Sequence, residues 1–419
     1  MMQVSRLIGF YQGGKQNTEG VNSAMEIKWI EQAVEEVKEE VVALRRDFHE
    51  HPELGTEEVR TSAIVEKYLN DLGIETVRMY NTGVVGCLEG GKPGKCLLLR
   101  ADMDALPMQE ENDVPYRSQT PGVMHACGHD GHTAMLLCAA KILAAHKDEF
   151  AGTVKFVFQP NEEEIGAAFL VKEGVLDHPP VDASFGMHLW SQVPTGHIGL
   201  AAGPVMSEMV TFDIILTGES VHSSDPSKGI DPILCAANII QTVQMLQTRE
   251  IAPMDAMSLV IGKINGGTKG NIVAGQVEMQ GNMRYMFDGS DESERHPRVR
   301  FRRIVESIAA AHRVKAEIKF TVEDYVVDND PEMVQFIRSQ VAPDLVTEDK
   351  IVEYRVMASE DFSELMSHNG IPGVFMFVGV GDHEKGTDNP HHSVCFNIDE
   401  DMLPLGVKAF VKTAMEYLR

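Results

Sequence analysis

Apolar residues recur at alternating steps of three and four early in the chain, at Ile27, Ile30, Val34, Val37, Val41, Leu44 and Phe48. That spacing lays one apolar stripe along an amphipathic helix. It predicts a helix from about Met25, stopped at His51-Pro52-Glu53-Leu54-Gly55. A second helix is predicted over 56–72. The pattern then changes to short apolar runs, 83–88 and 96–100 (CLLLR), which read as strands. Residues 133–145 (TAMLLCAAKILAA) are apolar nearly all round and predict a buried helix. Residues 153–159 alternate like a strand, and 181–187 and 374–378 read as buried strands.

Between about Ser207 and Val322 the pattern changes character. Strands are predicted over 209–217, 257–265, 276–287 and 314–322, with helices over 230–246 and 293–312. The order β-α-β-β-α-β is that of a ferredoxin-like unit. It predicts an inserted α+β domain over 207–322 within an α/β catalytic domain formed by 25–206 and 323–419. Residues 1–24 are polar, glycine-bearing and unpatterned, and are expected to be a disordered extension outside the fold.

A length of 419 residues calls for more than one core. The balance of 63 acidic against 37 basic residues, net −26, argues against nucleic-acid and anionic-membrane partners. No apolar run reaches the length of a membrane span. Six cysteines (Cys87, Cys96, Cys127, Cys138, Cys235, Cys395) lack framework spacing. They are expected to be free thiols in a reducing cytoplasm.

The chemistry concentrates at predicted strand ends. His125-Ala126-Cys127-Gly128-His129-Asp130-Gly131-His132 holds one thiol, three imidazoles and a carboxylate immediately before the buried helix. Thiolate and imidazole donors so spaced suit a borderline-soft divalent ion such as zinc. A helix N-terminus favours the thiolate. Asp102 and Asp104 follow the CLLLR strand, Glu162-Glu163-Glu164 follow the next, His188 follows 181–187, and His391-His392 follow the last. Taken singly, the glutamates read better as a solvated acidic turn, His188 as a packed core histidine and His391-His392 as a surface loop. Together they predict a metal site on the rim of a sheet. Cys127, His129, Glu162, Glu163, His188 and His392, with Asp104 behind them, are the candidates. A two-metal hydrolytic centre needs a bridging anion, which Cys127 can supply, several donors per ion and a base for the attacking water. Of the neighbouring glutamates one can be a ligand and the other the general base and acid.

Several stretches taken in order resemble one known family. They are Arg46-Asp47-Phe48-His49 with His51-Pro52-Glu53-Leu54, LRADMDALP from Leu99, HACGHDGH from His125, FQPNEE from Phe158, and GMH ending at His188. GGTKGN from Gly266, SEDFS from Ser359 and HHS with DEDMLPLG complete the set. The chain is similar to the dinuclear-metal aminoacylase and carboxypeptidase family, in the branch of hippurate hydrolase and the indole-acetyl-amino acid amidohydrolases. The resemblance implies a zinc-peptidase-like catalytic domain, with a mixed sheet flanked by helices, and a ferredoxin-like insert serving as lid and dimerisation domain. It implies that Cys127 bridges two divalent ions also held by His129, Glu163, His188 and His392, with Glu162 as general base and Asp104 orienting a ligand. His392 rather than His391 is chosen because the following serine and DEDMLPLG set the register. His222 is implied to polarise the scissile carbonyl, and Asn271 and Arg284 to hold the substrate carboxylate.

The expected activity is hydrolysis of N-acyl-L-amino acids to free amino acid and carboxylic acid by metal-activated water, in a homodimer or higher homo-oligomer. The ions are expected to be zinc, with manganese, cobalt or nickel as alternatives. Three other readings stand beside it: a dipeptidase or carboxypeptidase on small peptides, a cysteine-nucleophile amidase using Cys127 and His129, and a non-catalytic binding relative.

Overall fold

The computed structural model describes residues 29–287 and 294–419. The expectation for residues 1–24 lies outside them. The first apolar stripe forms two helices rather than one, α1 (Trp29–Glu36) and α2 (Lys38–Glu50). The break at Val37 lets α1 lie against the C-terminal helix while α2 lies along the buried helix α4. After α3 (Val59–Asp71) come β1 (Thr76–Met79), β2 (Gly83–Glu89) and β3 (Lys92–Asp102), then α4 (His129–Ala145), β4 (Ala151–Gln159), α5 (Gly166–Lys172) and β5 (Ala183–Pro194). Two short strands follow, β6 (Ile198–Gly199) and β7 (Gly203–Met206).

The chain then builds a separate four-stranded unit from β8 (Glu208–Thr217), α6 (Pro232–Val243), β9 (Met257–Gly266), β10 (Gln276–Tyr285), α7 (Pro297–Ala311) and β11 (Lys315–Asp324). It returns through β12 (Val327–Asn329), α8 (Pro331–Phe336), α9 (Ala342–Leu345), β13 (Ile351–Val352) and β14 (Gly373–Gly381) to α10 (Leu403–Tyr417).

The large sheet has the order β1-β2-β4-β3-β5-β14-β6-β13. Its centre, β4-β3-β5-β14, is parallel, and the flanking pairs β1-β2, β2-β4 and β14-β6 are antiparallel. Central parallel strands need cover on both faces, which is why they read as unbroken apolar runs. Alternation along β3 shows the two layers: Leu97 and Leu99 pack with α4 and α10, while Leu98 faces the opposite core with Phe362, Phe375 and Phe377. Helix α4 is enclosed between the sheet and helices α2 and α10 and buries almost all of its residues.

The pairing of β5 with β14 runs on to Pro194, so His188 lies inside a strand and not past its end. This corrects the placement expected from the 181–187 run. In the second unit the order is β11-β8-β10-β9 with every neighbour antiparallel, the ferredoxin-like arrangement. The chain leaves and re-enters the large domain side by side, because β7 pairs with β12. There Ser207 N–H donates to Ala358 O at 2.9 Å and its hydroxyl to Met357 O at 2.9 Å. Among the described residues, no helix is long and apolar enough to cross a membrane.

Candidate metal centre

The site is assembled where β3, β4 and β5 meet the N-terminus of α4. Gly128, between Cys127 and His129, takes φ +100°, a left-handed conformation that suits glycine and swings the chain from the thiol into α4. After β4 the chain turns at Asn161, φ +57°, into a single 3₁₀ turn carrying Glu162–Glu164. Asparagine tolerates this region. Its side-chain oxygen stands 2.0 Å from where a Cβ on Gly55 would be, so the glycine of the HPELG stretch makes room for the turn. From the far side, His392 is tied to the cysteine loop by its N–H donating to Ala126 O at 2.9 Å.

These loops place two sets of three donor atoms, each mutually within 4.8 Å, and the sets share Cys127. One is Cys127, His129 and His188; the other is Cys127, Glu163 and His392. His188 Nε2 lies 3.4 Å from Cys127 Sγ, and His392 Nε2 lies 3.2 Å from Glu163 Oε1. Both buried imidazoles have their outer nitrogens fixed. His129 Nδ1 bonds to Asp104 O at 2.9 Å and to its carboxylate at 3.2 Å, and His188 Nδ1 bonds to Leu189 O at 2.8 Å. In each ring the bond leaves Nε2 aimed at the thiol, the arrangement expected of metal-binding histidines. Asp104 also accepts the Glu163 N–H at 3.1 Å, so one carboxylate steadies both donor sets.

The donor chemistry fits cations. His129 Nε2 is buried and makes no hydrogen bond, a costly state for a polar atom unless something charged binds it. Burial, then Glu163 and Glu162, push the Cys127 thiol well above its usual range. The protein's own groups therefore do not make a thiolate there, whereas a divalent cation does. A free nucleophilic cysteine needs the opposite environment, a depressed pKa. Burial alone would lower the His129 pKa, but Asp102 and Asp104 outweigh it and raise the value to about 10. His132 looks like a further ligand beside Asp102 and His129, yet both its nitrogens are engaged. Nδ1 bonds to Asp102 Oδ1 at 2.6 Å, and Nε2 accepts the Leu189 N–H at 2.9 Å.

Glu162 stands 3.7 Å from His129 Nε2 and close to Glu360 and Asp361. Burial first, then Glu360 and Glu163, raise its pKa well above the ordinary carboxylate range. Beneath this acidic group lies Arg100, buried in β3, paired with Asp102 at 2.6 Å, Glu360 at 2.8 Å and Asp361 at 3.1 Å. Gln159 links Arg100 Nε (2.8 Å) to Asp361 (2.7 Å). Glu360 and Asp361 lie in the SEDFS stretch but are not among the candidates that the sequence offers. The signal was there: one arginine ends an otherwise apolar CLLLR strand and must find buried anions. Arg100→Met leaves three buried carboxylates without their cation. It is expected to cost about 3–5 kcal/mol of stability, read from the shift of the urea-unfolding midpoint.

Glu58 supports the Glu162–Glu164 turn from below, accepting from Thr82 Oγ1 at 2.6 Å and Asn161 N–H at 2.9 Å. Burial raises its pKa from 4.5 to about 7, against the lowering effect of those bonds. The folded chain then keeps a proton that the unfolded chain has released. This contribution is fullest below pH 4.5 and is lost as pH rises through about 7. Glu58→Gln is expected to flatten that part of the stability profile, so that unfolding midpoints at pH 5 and pH 8 differ less than in the unaltered protein.

A cleft of about 800 Å³ opens in front of the donors. Cys127, Glu162, Glu163, His188, His392 and Arg284 line it, with Trp190, Met206, Met209 and Val356 forming an apolar wall. Arg284, on β10, reaches it from the four-stranded unit and donates to Met357 O at 3.1 Å. His129 and Asp104 are buried behind. His222 and Asn271 are adjacent to each other, since Ser223 N–H donates to Asn271 O at 3.0 Å, but both are exposed and neither lines the cleft.

Such a centre, on the rim of a mixed α/β sheet and facing a cleft, defines the class: a metal-dependent hydrolase of amide bonds. Residues 98–416 match the model of peptidase family M20/M25/M40, and the chain belongs to that family. Thermostable carboxypeptidase 2 of Saccharolobus solfataricus is 38% identical over 394 residues, 92% of this chain and 97% of its own length. An N-acyl-L-amino acid amidohydrolase of Geobacillus stearothermophilus is 40% identical over 295 residues, 70% of this chain and 78% of its own. The crystal structure of a dinuclear metal binding peptidase of family M20 from Bacillus subtilis superposes with a TM-score of 0.79 at 32% identity, covering 92% of this chain and 99% of that one.

Proposed function

We propose that the protein hydrolyses N-acyl-L-amino acids, releasing the free amino acid and the carboxylic acid. The observation carrying this reading is the pair of donor sets sharing Cys127, with Glu162 beside them and Arg284 across the cleft. Cys127, His129 and His188 would hold one divalent ion, and Cys127, Glu163 and His392 the other. Ions in these positions supply polarisation of the amide carbonyl and acidification of water. Thiolate and imidazole donors favour zinc, with manganese, cobalt and nickel as alternatives set by availability. Glu162, not needed as a ligand, takes the proton of the attacking water and returns it to the leaving nitrogen. Its crowding by Glu360 favours holding that proton in between. Arg284 pairs with the substrate's free carboxylate through its planar fork.

In this reading His222 polarises the carbonyl and Asn271 helps hold the carboxylate. Both lie outside the cleft, so they act when the four-stranded unit closes as a lid, or from a second copy of the chain. The second copy is supported by the edge strand β9 and helix α6, which expose Val260 (53%), Ile264 (53%), Ile233 (47%) and Leu234 (56%). An apolar sheet edge of this kind is a pairing surface, and we take the working form to be a homodimer. Six free cysteines accord with a reducing, cytoplasmic setting.

A carboxypeptidase or dipeptidase reading uses the same machinery and is favoured by the carboxypeptidase from Saccharolobus solfataricus. A panel of N-acyl amino acids and dipeptides separates the two. The expected result is amino acid release from acylated members that stops on chelation and returns on adding zinc or manganese. Release from dipeptides alone would move the assignment to a dipeptidase, and release that survives thorough chelation would sink the metal mechanism.

A further inference from the structure

Three imidazoles converge on the backbone of Leu189, the residue after His188 in β5. Its N–H donates to His132 Nε2 at 2.9 Å, and its carbonyl accepts from His188 Nδ1 at 2.8 Å and from His391 Nε2 at 3.0 Å. The ladder between β3 and β5 ends at Arg100–Gly186, and beyond it the imidazoles take up backbone groups of β5. His132 is anchored in turn by Asp102 at 2.6 Å, and Asp102 by Arg100 at 2.6 Å. His391 is stacked on Trp190, with ring centroids 4.1 Å apart at 27°.

We propose that His132 and His391 are positioning residues that clamp Leu189 and so fix the direction of His188 Nε2. This rests on the proposed role of His188 as a ligand. The bond from His188 Nδ1 to Leu189 O orients the ring only as well as that carbonyl is itself held. His132 fixes the N–H side of Leu189 and His391 the carbonyl side. Neither ring has a nitrogen to spare for an ion. Both His132 nitrogens are engaged, and His391 spends Nε2 on Leu189 while Nδ1 stands 3.5 Å from Ser191 Oγ. The clamp therefore serves one donor set, Cys127, His129 and His188. The other is held through different bonds, the Glu163 N–H to Asp104 and the His392 N–H to Ala126 O.

Metal-free full-length protein titrated with zinc in a calorimeter, with bound ions counted by elemental analysis, tests the clamp without using activity. His188→Ala and His392→Ala are each expected to bind one ion in place of two. His391→Ala is expected to weaken one of the two ions by about 10–100-fold, the usual effect of losing an outer partner of a ligand. His391→Gln offers an amide donor near the place of Nε2 and is expected to restore most of that loss, although it lacks the stacking ring. With His392→Ala, the His391→Ala change should weaken the remaining ion by the same factor; with His188→Ala it should change nothing. If His188→Ala and His392→Ala each lose an ion but His391→Ala weakens neither ion, or both alike, the clamp is wrong and the ligand assignment stands. Failure of His391→Gln to restore binding also overturns the clamp. If His188→Ala and His392→Ala still bind two ions, the ligand assignment itself falls, and the clamp with it.

Discussion

Glu162→Gln is expected to lower kcat by about 10²–10⁴-fold, the usual contribution of a general base, while leaving two ions bound and KM little changed. The proposed assignment rests on position. Glu163 faces His392 at 3.2 Å and belongs to a donor set with Cys127, whereas Glu162 stands 3.7 Å from His129 Nε2 with Glu360 and Asp361 on its other side. Glu162 and Glu163 both lie within 4.8 Å of a His129 nitrogen, but of the two only Glu163 also belongs to a set with Cys127 and His392, and Glu162 is proposed to carry the proton. Glutamine keeps the size of Glu162 but cannot accept the proton of water. Glu163→Gln is the contrast: it should lose an ion as well as activity. Steady-state kinetics with metal analysis on both variants checks the pair. A Glu162→Gln enzyme that keeps full kcat would remove the proposed base.

Cys127→Ala is expected to strip both ions, because each donor set loses its shared member and keeps two. Activity should fall to that of chelated enzyme. The stability cost of the substitution itself should be small, since a buried thiol that its surroundings keep protonated behaves as a small apolar group. The contrast with the nucleophile hypothesis lies in the metal. A nucleophilic Cys127 replaced by alanine would lose activity yet leave any ions in place. Elemental analysis of the purified variant decides: zinc near zero per chain supports the bridge, and zinc at the unaltered level contradicts it.

Much of the fold was legible because its signals are local. Buried parallel strands read as apolar runs, and the inserted unit followed the β-α-β-β-α-β order strand for strand. The helix break at Val37 was not legible, since no proline or glycine marks it; α1 packs on α10 whereas α2 packs chiefly on α4. His188 was found for its residue type but misplaced, because strand length depends on pairing with β14, about 190 residues away in the chain. At the site, Cys127, His129, Glu163, His188 and His392 converge through loops that the sequence separates widely. Their placement near predicted strand ends, the HACGHDGH cluster and the family resemblance pointed to the set, but not to how its members divide between two donor groups. Glu360, Asp361 and the clamp on Leu189 depend on which backbone groups a neighbouring strand leaves open, which no spacing encodes. His222 and Asn271 were named by resemblance alone, and both stand on exposed segments outside the cleft, so their proposed action requires closure or assembly.

Cys127 would be the donor common to two ions. Anomalous diffraction from zinc-loaded crystals tests it most directly. Two anomalous peaks flanking Cys127 Sγ, one beside His129 and His188 and the other beside Glu163 and His392, are the predicted result. A single peak, or peaks that leave Cys127 uncoordinated, would contradict it.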